Sequence, residues 1–246
     1  MSIGTAIVIT SGKGGTGKTS TAGGVAACLA AMGHRVLCLD TDIGLRNLDL
    51  TLGMTEQALM DFTDVIQYRC SLDRACVEHE KVKNLFLLTA PVTLPAGIDE
   101  DDMRRLLRQV REKFDYCIID CPAGVGTGFA LATCAADRAI LVCNADYAAL
   151  RDGQAAVQRL RRLNIPLHLV VNRVKPKLLR KLSMDIDDAM DNTGLPLLGL
   201  VPEDETVTLA AARGVSIITV ARKGAALAYY NIAKRITGQR TPLMRL

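Results

Sequence analysis

Between positions 12 and 19 the chain reads Gly12-Lys13-Gly14-Gly15-Thr16-Gly17-Lys18-Thr19, which satisfies the spacing G-x-x-x-x-G-K-[ST]. Residues of these types in this order can enclose a phosphate. Glycines let successive backbone N–H groups turn inward with no Cβ in the way. A helix starting where the loop ends adds unpaired donors and the positive end of its dipole. Lys18 then stands against the β- and γ-phosphates of a nucleoside triphosphate. The Thr19 hydroxyl ligates Mg²⁺, and Ser20 follows it at the helix start. An ordinary glycine-rich turn would need none of this, but the flanks are those of a phosphate loop: an apolar run, Ala6–Thr10, before it and a small-residue helical run, Thr19–Gly33, after it.

Carboxylates recur where other apolar runs end. Asp40 and Asp42 close the run that starts at Arg35, and Asp120 closes the run that starts at Tyr116. Aspartates after a strand often do no more than cap a turn. Asp120 is the stronger candidate, because open α/β sheets bind ligands at the carboxyl ends of their strands. Asn172 ends a further run and has a plain reading as a strand terminator. One crevice would gather all of these residues if their strands lay side by side.

The elements needed to do so are present. Strands are expected at Ala6–Thr10, Arg35–Asp40, Asn84–Thr89, Tyr116–Asp120, Ala139–Asn144, Leu167–Asn172 and Leu197–Val201. Helices are expected at Thr19–Gly33, Asp99–Phe114, Tyr147–Leu163, Ile186–Thr193, Thr206–Arg213 and Gly224–Thr237. Over Asp99–Phe114 the apolar residues Met103, Leu106, Leu107, Val110 and Phe114 share one face, behind an acidic first turn. Near-continuous apolar strands alternating with helices predict an α/β fold: a doubly wound, mostly parallel sheet with helices on both faces. Residues 1–237 are expected to form one P-loop NTPase domain, and 238–246 a short tail.

Composition narrows the function further. Hydrophobic residues make up 49% of the 246, enough for a sizeable core. Aromatics are only 4% and Trp is absent, which argues against base-stacking platforms. A net charge of +4 permits anionic partners without requiring one. Neither a signal peptide nor a membrane-spanning run is evident, so a cytoplasmic protein is expected. The eight cysteines lack a C-x-x-C pair. They read as reduced thiols, with Cys28, Cys38, Cys117 and Cys143 as core residues.

Lys13, a second lysine inside the loop, has a bland reading as a solvated side chain. Taken with the rest of the chain, however, the loop resembles that of the MinD/ParA class of deviant Walker A ATPases, K-G-G-x-G-K-[ST]. Asp40-Thr41-Asp42-Ile43-Gly44-Leu45-Arg46-Asn47-Leu48-Asp49-Leu50 is similar to the switch I segment of the MinD branch. Asp120-Cys121-Pro122-Ala123-Gly124 is similar to the family's D-x-P-A-G switch II. Arg151-Asp152, Val171-Asn172-Arg173 and Val201-Pro202-Glu203-Asp204 match as well.

This resemblance implies an ATPase that dimerises when ATP-bound and serves as a spatial regulator of bacterial cell division through septum-site placement. Its cofactors are ATP and Mg²⁺. Lys13 is implied to reach the partner subunit's ATP and Asp152 to pair with Lys13 across the dimer. Asp42 is implied to orient the attacking water, and Asp40 and Asp120 to hold the metal through water. Asn172, Arg173, Pro202, Glu203 and Asp204 are implied to form the base pocket. Regulatory proteins of the division-site system are the implied partners, and the inner face of the cell membrane an implied docking surface.

Three departures bear on partners rather than phosphates. The family's basic amphipathic C-terminal helix has no counterpart after Thr237, where Gly238 and Pro242 interrupt a tail too short for an independent helix. Gly126 and Gln154 stand where acids are usual. A partitioning ATPase of the ParA kind that binds DNA nonspecifically is an alternative, supported by the basic runs Arg159, Arg161, Arg162 and Lys175, Lys177, Arg180, Lys181. An iron–sulfur relative and a non-enzymatic ATP-gated adaptor are others. The cluster cysteine that the iron–sulfur family, that of the nitrogenase iron protein, carries shortly after switch II is replaced here by Thr127, and retained Asp42 and Lys13 count against the adaptor.

Overall fold

The computed structural model describes residues 3–177, 181 and 185–244. Arg180 of the basic run named above, and residues 245–246 of the tail, lie outside the described residues. The strands are β1 (Thr5–Thr10), β2 (Val36–Asp40), β3 (Val77–Glu78), β4 (Leu85–Leu88), β5 (Tyr116–Asp120), β6 (Arg138–Asn144), β7 (Leu167–Val174) and β8 (Leu197–Pro202). They form one sheet in the order β3-β4-β2-β5-β1-β6-β7-β8. Every pairing is parallel except that of the edge strand β3 with β4.

The order sets the position of the site. From β1 the chain crosses over β5's place to reach β2, and from β5 it crosses β1 to reach β6, so winding reverses around β1. Crevices form at such reversals, outside the carboxyl ends of the strands. The loop at Gly12–Thr19 leaves the carboxyl end of β1. Asp40 and Asp120 are paired residues at the ends of β2 and β5, and Asn144 and Asn172 are paired residues of β6 and β7.

Helices cover both faces. On one lie α1 (Lys18–Ala31), α9 (Glu205–Ala212), α10 (Ile217–Val220) and α11 (Gly224–Ile236). On the other lie α5 (Glu100–Lys113), α6 (Thr127–Thr133), α7 (Tyr147–Arg161) and α8 (Ile186–Thr193). Three short helices, α2 (Leu48–Leu52), α3 (Phe62–Ile66) and α4 (Leu72–Ala75), fill the segment between β2 and β3. Helix α5 shows why its residues form a helix. Asp99 accepts from the N–H groups of Asp101 and Asp102, and Asp102 accepts in return from Asp99. Such a cap contributes about 1 kcal/mol. Burial of Met103, Leu106, Leu107 and Val110 fastens the helix to the sheet.

Helix α1 follows different rules because it is buried on nearly all sides from Thr21 to Ala30. Its small residues admit neighbours at close range. A Cβ on Gly24 would lie 2.3 Å from the ring of Tyr229 in α11, and one on Gly23 would lie 2.8 Å from Thr51. The phosphate loop therefore opens onto a helix wedged between sheet and cover.

The C-terminal segment turns back after α11. Arg235 donates from Nη2 to the Thr241 carbonyl at 2.7 Å and from Nη1 to the Leu198 carbonyl at 2.6 Å, and Met244 packs on the core. No regular element forms in it among the described residues.

His79, with no role expected from sequence, pins the edge of the sheet to α2. Its Nε2 lies 3.0 Å from the Leu52 carbonyl, and its Nδ1 accepts from the N–H groups of Lys81 and Val82 at 3.0 and 3.3 Å. Only the neutral ring with its proton on Nε2 satisfies all three, and burial lowers the ring's pKa below 6.5. A depressed histidine contributes stability that is present above its unfolded value and lost as pH falls through its folded one. His79→Ala should lose about 1–3 kcal/mol at pH 7.5, with the gap to the parent protein closing towards pH 5. Urea melts across that range measure it. A gap that stays constant with pH would show that the ring does not titrate in this way.

Candidate active site

The loop's conformation is set by what crowds it. Gly15 and Gly17 adopt φ of +76° and +88°, in the left-handed region that disfavours side chains. Gly12 is required by close approach: a Cβ there would sit 2.2 Å from the Asp152 carbonyl oxygen of α7. A Cβ on Gly17 would sit 2.1 Å from Nδ2 of Asn172. Asn172 is buried, and its Nδ2 donates to the Thr16 carbonyl at 2.7 Å. Thr21 adds a second tie, its hydroxyl donating to the Gly17 carbonyl at 2.8 Å. Three elements thus clamp the loop: α7, β7 and α1.

Both lysines face carboxylates of their own chain. Lys18 Nζ lies 3.6 Å from Asp42 Oδ2, both largely buried. Lys13 Nζ lies 3.6 Å from Asp146 Oδ1 at the partly exposed mouth. Asp146 also caps α7, accepting from the Ala149 N–H at 2.8 Å. The sequence reading did not single out Asp146, although an Asp just before a helical run is an N-cap signal.

Asp40 and Asp120 are each only 1% exposed. Asp40 accepts from the N–H of Asp42 at 2.8 Å and of Leu48 at 3.3 Å, which shapes the loop after β2. Burial raises its pKa to about 6, partly offset by those two bonds. Burial raises Asp120 to about 7; Lys18 pulls it down, Asp40 pushes it up, and Thr19 lowers it again through a hydrogen bond. Asp120 Oδ1 has no hydrogen-bond partner among the described residues, and neither do the nearby Thr10 and Thr16 hydroxyls or Asn144 Oδ1. Unpaired buried polar atoms at strand ends carry a desolvation penalty that a ligand can relieve. Two acids, one of them with an unpaired oxygen, and a threonine form a hard oxygen donor set suited to Mg²⁺ and its waters.

A second pocket opens beside the loop, lined by Gly17, Ser20, Asn172, Arg173, Pro202, Glu203 and Asp204, with Val207, Thr208 and Tyr229. All the residues expected at the base are brought together here, but their polar groups are differently occupied. Asp204 accepts from the N–H of Thr206 and of Ala225, both at 2.9 Å, and so caps α9 and α11 together. Partial burial would raise its pKa, but these bonds outweigh it and hold the carboxyl below the usual value. Arg173 sits at a bulge in β7 with φ +53°, its Nε 3.9 Å from Glu203 Oε2. Tyr229 is buried and lines the pocket from beneath, its ring against Gly24 of α1.

The basic runs do not merge into one stripe. Helix α7 runs back from the carboxyl edge of the sheet, so Arg159, Arg161 and Arg162 lie at the opposite edge from Lys175 and Lys177, which follow β7.

Known proteins share both sequence and fold. A family model described as "CobQ/CobB/MinD/ParA nucleotide binding domain" matches residues 7–217. The septum site-determining protein MinD of Bacillus subtilis (strain 168) is 39% identical, the match covering 99% of this chain and 93% of that one. The MinD protein in a MinC:MinD cell division complex of Aquifex aeolicus is 31% identical with a TM-score of 0.91, covering 98% of each chain. A septum site-determining protein MinD complexed with Mg-ADP, from Pyrococcus horikoshii OT3, is 26% identical with a TM-score of 0.83, covering 95% of this chain and 96% of that one.

The raised value of Asp120 has a consequence for stability. Its folded pKa of about 7 exceeds the ordinary 3.8, so the stability that goes with the protonated acid is present below pH 4 and lost as pH rises through 7. Asp120→Asn, which cannot ionise, should therefore melt higher than the parent protein at pH 8 without nucleotide. Its advantage should shrink steadily towards pH 4. Calorimetric melts in EDTA measure this, and an advantage that grows as pH falls would mean the acid is not held this way.

Proposed function

The chain belongs to the CobQ/CobB/MinD/ParA nucleotide-binding family and groups with its septum site-determining members, and on that premise we propose a Mg²⁺-dependent ATPase whose ATP-bound form dimerises to complete its own active site. It is a spatial regulator of cell division, with ATP and Mg²⁺ as its cofactors. The observation that carries the catalytic reading is the meeting of Lys18, Asp42, Asp40 and Asp120 at the mouth of β1, with one Asp120 oxygen unpaired and buried.

In this reading the loop amides from Gly12 to Thr19 and the start of α1 bind the β- and γ-phosphates, Lys18 exchanging Asp42 for phosphate oxygen. Asp42, released, orients the attacking water through its carboxylate. Thr19 would hold Mg²⁺, and Asp40 and Asp120 would act on it through water. When bound, the ion neutralises charge that develops on the phosphate oxygens. Arg173, Pro202, Glu203 and Asp204 surround the base. Asn172, whose Nδ2 donates to the Thr16 carbonyl, would link base recognition to loop shape.

Phosphoryl transfer needs positive charge where negative charge develops. Lys13 supplies it in trans by leaving Asp146 and reaching the partner's triphosphate, the geometry of an arginine finger. Asp152, whose backbone already abuts Gly12, pairs with the incoming Lys13 of the dimer. Hydrolysis then withdraws the charge that held the two copies together and acts as a timer. The MinC:MinD complex supports a regulatory protein as partner.

Attachment to a membrane through the C-terminal segment has less support, because Arg235 and Met244 hold that segment on the body. No described helix is long and apolar enough to cross a bilayer. A DNA-binding role is disfavoured by the separation of the basic runs.

Lys13→Ala should bind ATP nearly as the parent does, yet stay monomeric on gel filtration with ATP and lose about 10³-fold or more in phosphate release, the scale of a missing finger. Turnover at the parent rate would defeat the trans assignment.

A further inference from the structure

Away from the nucleotide, a cavity of about 390 Å³ opens where α10, the start of α11 and the last turns of α1 meet. It falls within the size range of small-molecule sites. Cys28 and Ala226 form its floor, and Ile218, Leu227 and Tyr230 its walls. Arg222 stands at its rim, and no residue lining it is acidic. One Nη of Arg222 donates to the Ile218 carbonyl, which anchors the guanidinium; its other N–H groups have no protein partner among the described residues. Lys223 is exposed beside it, and Lys234 lies over the outer ring of Tyr230 at 4.8 Å. Burial raises the Cys28 thiol to about 12, so the floor is neutral. A neutral apolar chamber under a fixed guanidinium is complementary to one kind of ligand: a chain that is greasy along its length and anionic at one end.

We propose that this cavity binds a single-chain anionic amphiphile, a fatty carboxylate, with its alkyl chain over Cys28 and Ala226 and its carboxylate on Arg222. The site is independent of the catalytic reading, since it shares no residue with the nucleotide pocket. It is nonetheless joined to that pocket through two neighbouring side chains. Tyr230 walls the cavity, while Tyr229 lies against Gly24 of α1 and lines the base pocket.

Decanoate titrated into the nucleotide-free full chain, below its micelle concentration, tests the assignment by calorimetry. Saturable uptake of one molecule per chain is expected, with decanol binding about tenfold or more weakly for want of the charge-assisted bonds. Arg222→Gln should weaken decanoate by about the same factor and leave decanol unchanged. Ala226→Leu, which fills the chamber, should abolish both. Ala221→Leu, at the wall, repeats the test should Ala226→Leu fail to fold, and retained ATP binding certifies either variant as folded. Absence of saturable uptake would overturn the proposal, as would equal affinity for decanol and decanoate or full binding by both filled variants. Retention on phosphatidylglycerol vesicles without uptake of monomeric decanoate would also overturn it, by assigning the face to a bilayer.

Discussion

A carboxylate taken out of water must find positive charge or give up its own. Asp40 and Asp120, paired side by side at the ends of β2 and β5, are both nearly fully buried, and burial pushes their pKa values to about 6 and about 7. Lys18 is the cation beside them, and Asp42 already holds its ammonium. The site therefore carries more buried negative charge than its own chain neutralises, next to a loop whose amides favour anions. A triphosphate with its magnesium resolves both halves of that imbalance. The remainder of the molecule can be understood as what keeps the imbalance from relaxing in some other way.

It does so by leaving no room. The reversal of winding at β1 brings the acids, the loop and the ends of β6 and β7 to one crevice, and three glycines then let backbone or ring approach at distances a Cβ would forbid. Gly12 meets the carbonyl of Asp152, Gly17 the amide of Asn172, and Gly24 the ring of Tyr229. Each contact ties a different cover helix or strand to the loop or to the helix it opens. The phosphate site is consequently preorganised, as electrostatic catalysis demands. Outside this clamp lie Lys13, paired with Asp146 at the partly exposed mouth, and the segment after β2, where Gly44 and Arg46 both adopt positive φ.

Much of this was legible in the sequence where a physical rule acts over many residues. The strand Tyr116–Asp120 and the helix Ile186–Thr193 agree with expectation end to end, and the parallel doubly wound sheet follows from apolar runs spaced by helices. The elements that escaped are short. Leu48–Leu52, Phe62–Ile66, Leu72–Ala75 and Ile217–Val220 are too brief to show a helical period, Thr127–Thr133 spans barely two turns, and Val77–Glu78 is held by its edge pairing alone. Within the site, residue types marked where the phosphates and metal belong, while contacts far apart in sequence stayed hidden. The bond from Asn172 to Thr16 joins residues 156 positions apart. Asp146 opposite Lys13 and His79 beneath Leu52 likewise depend on tertiary neighbours that no local pattern records.

The claim at the centre of this picture is that the buried acids and the loop act as one receptor for a metal-bound triphosphate. Calorimetric titration of ATP into nucleotide-free protein at pH 7, in two buffers of different ionisation enthalpy and with Mg²⁺ or EDTA present, measures this directly. Uptake should be at least about tenfold tighter with Mg²⁺ and should release protons as Asp120 and Asp40 ionise against the metal. Binding that is equally tight in EDTA, or that moves no protons, would contradict it.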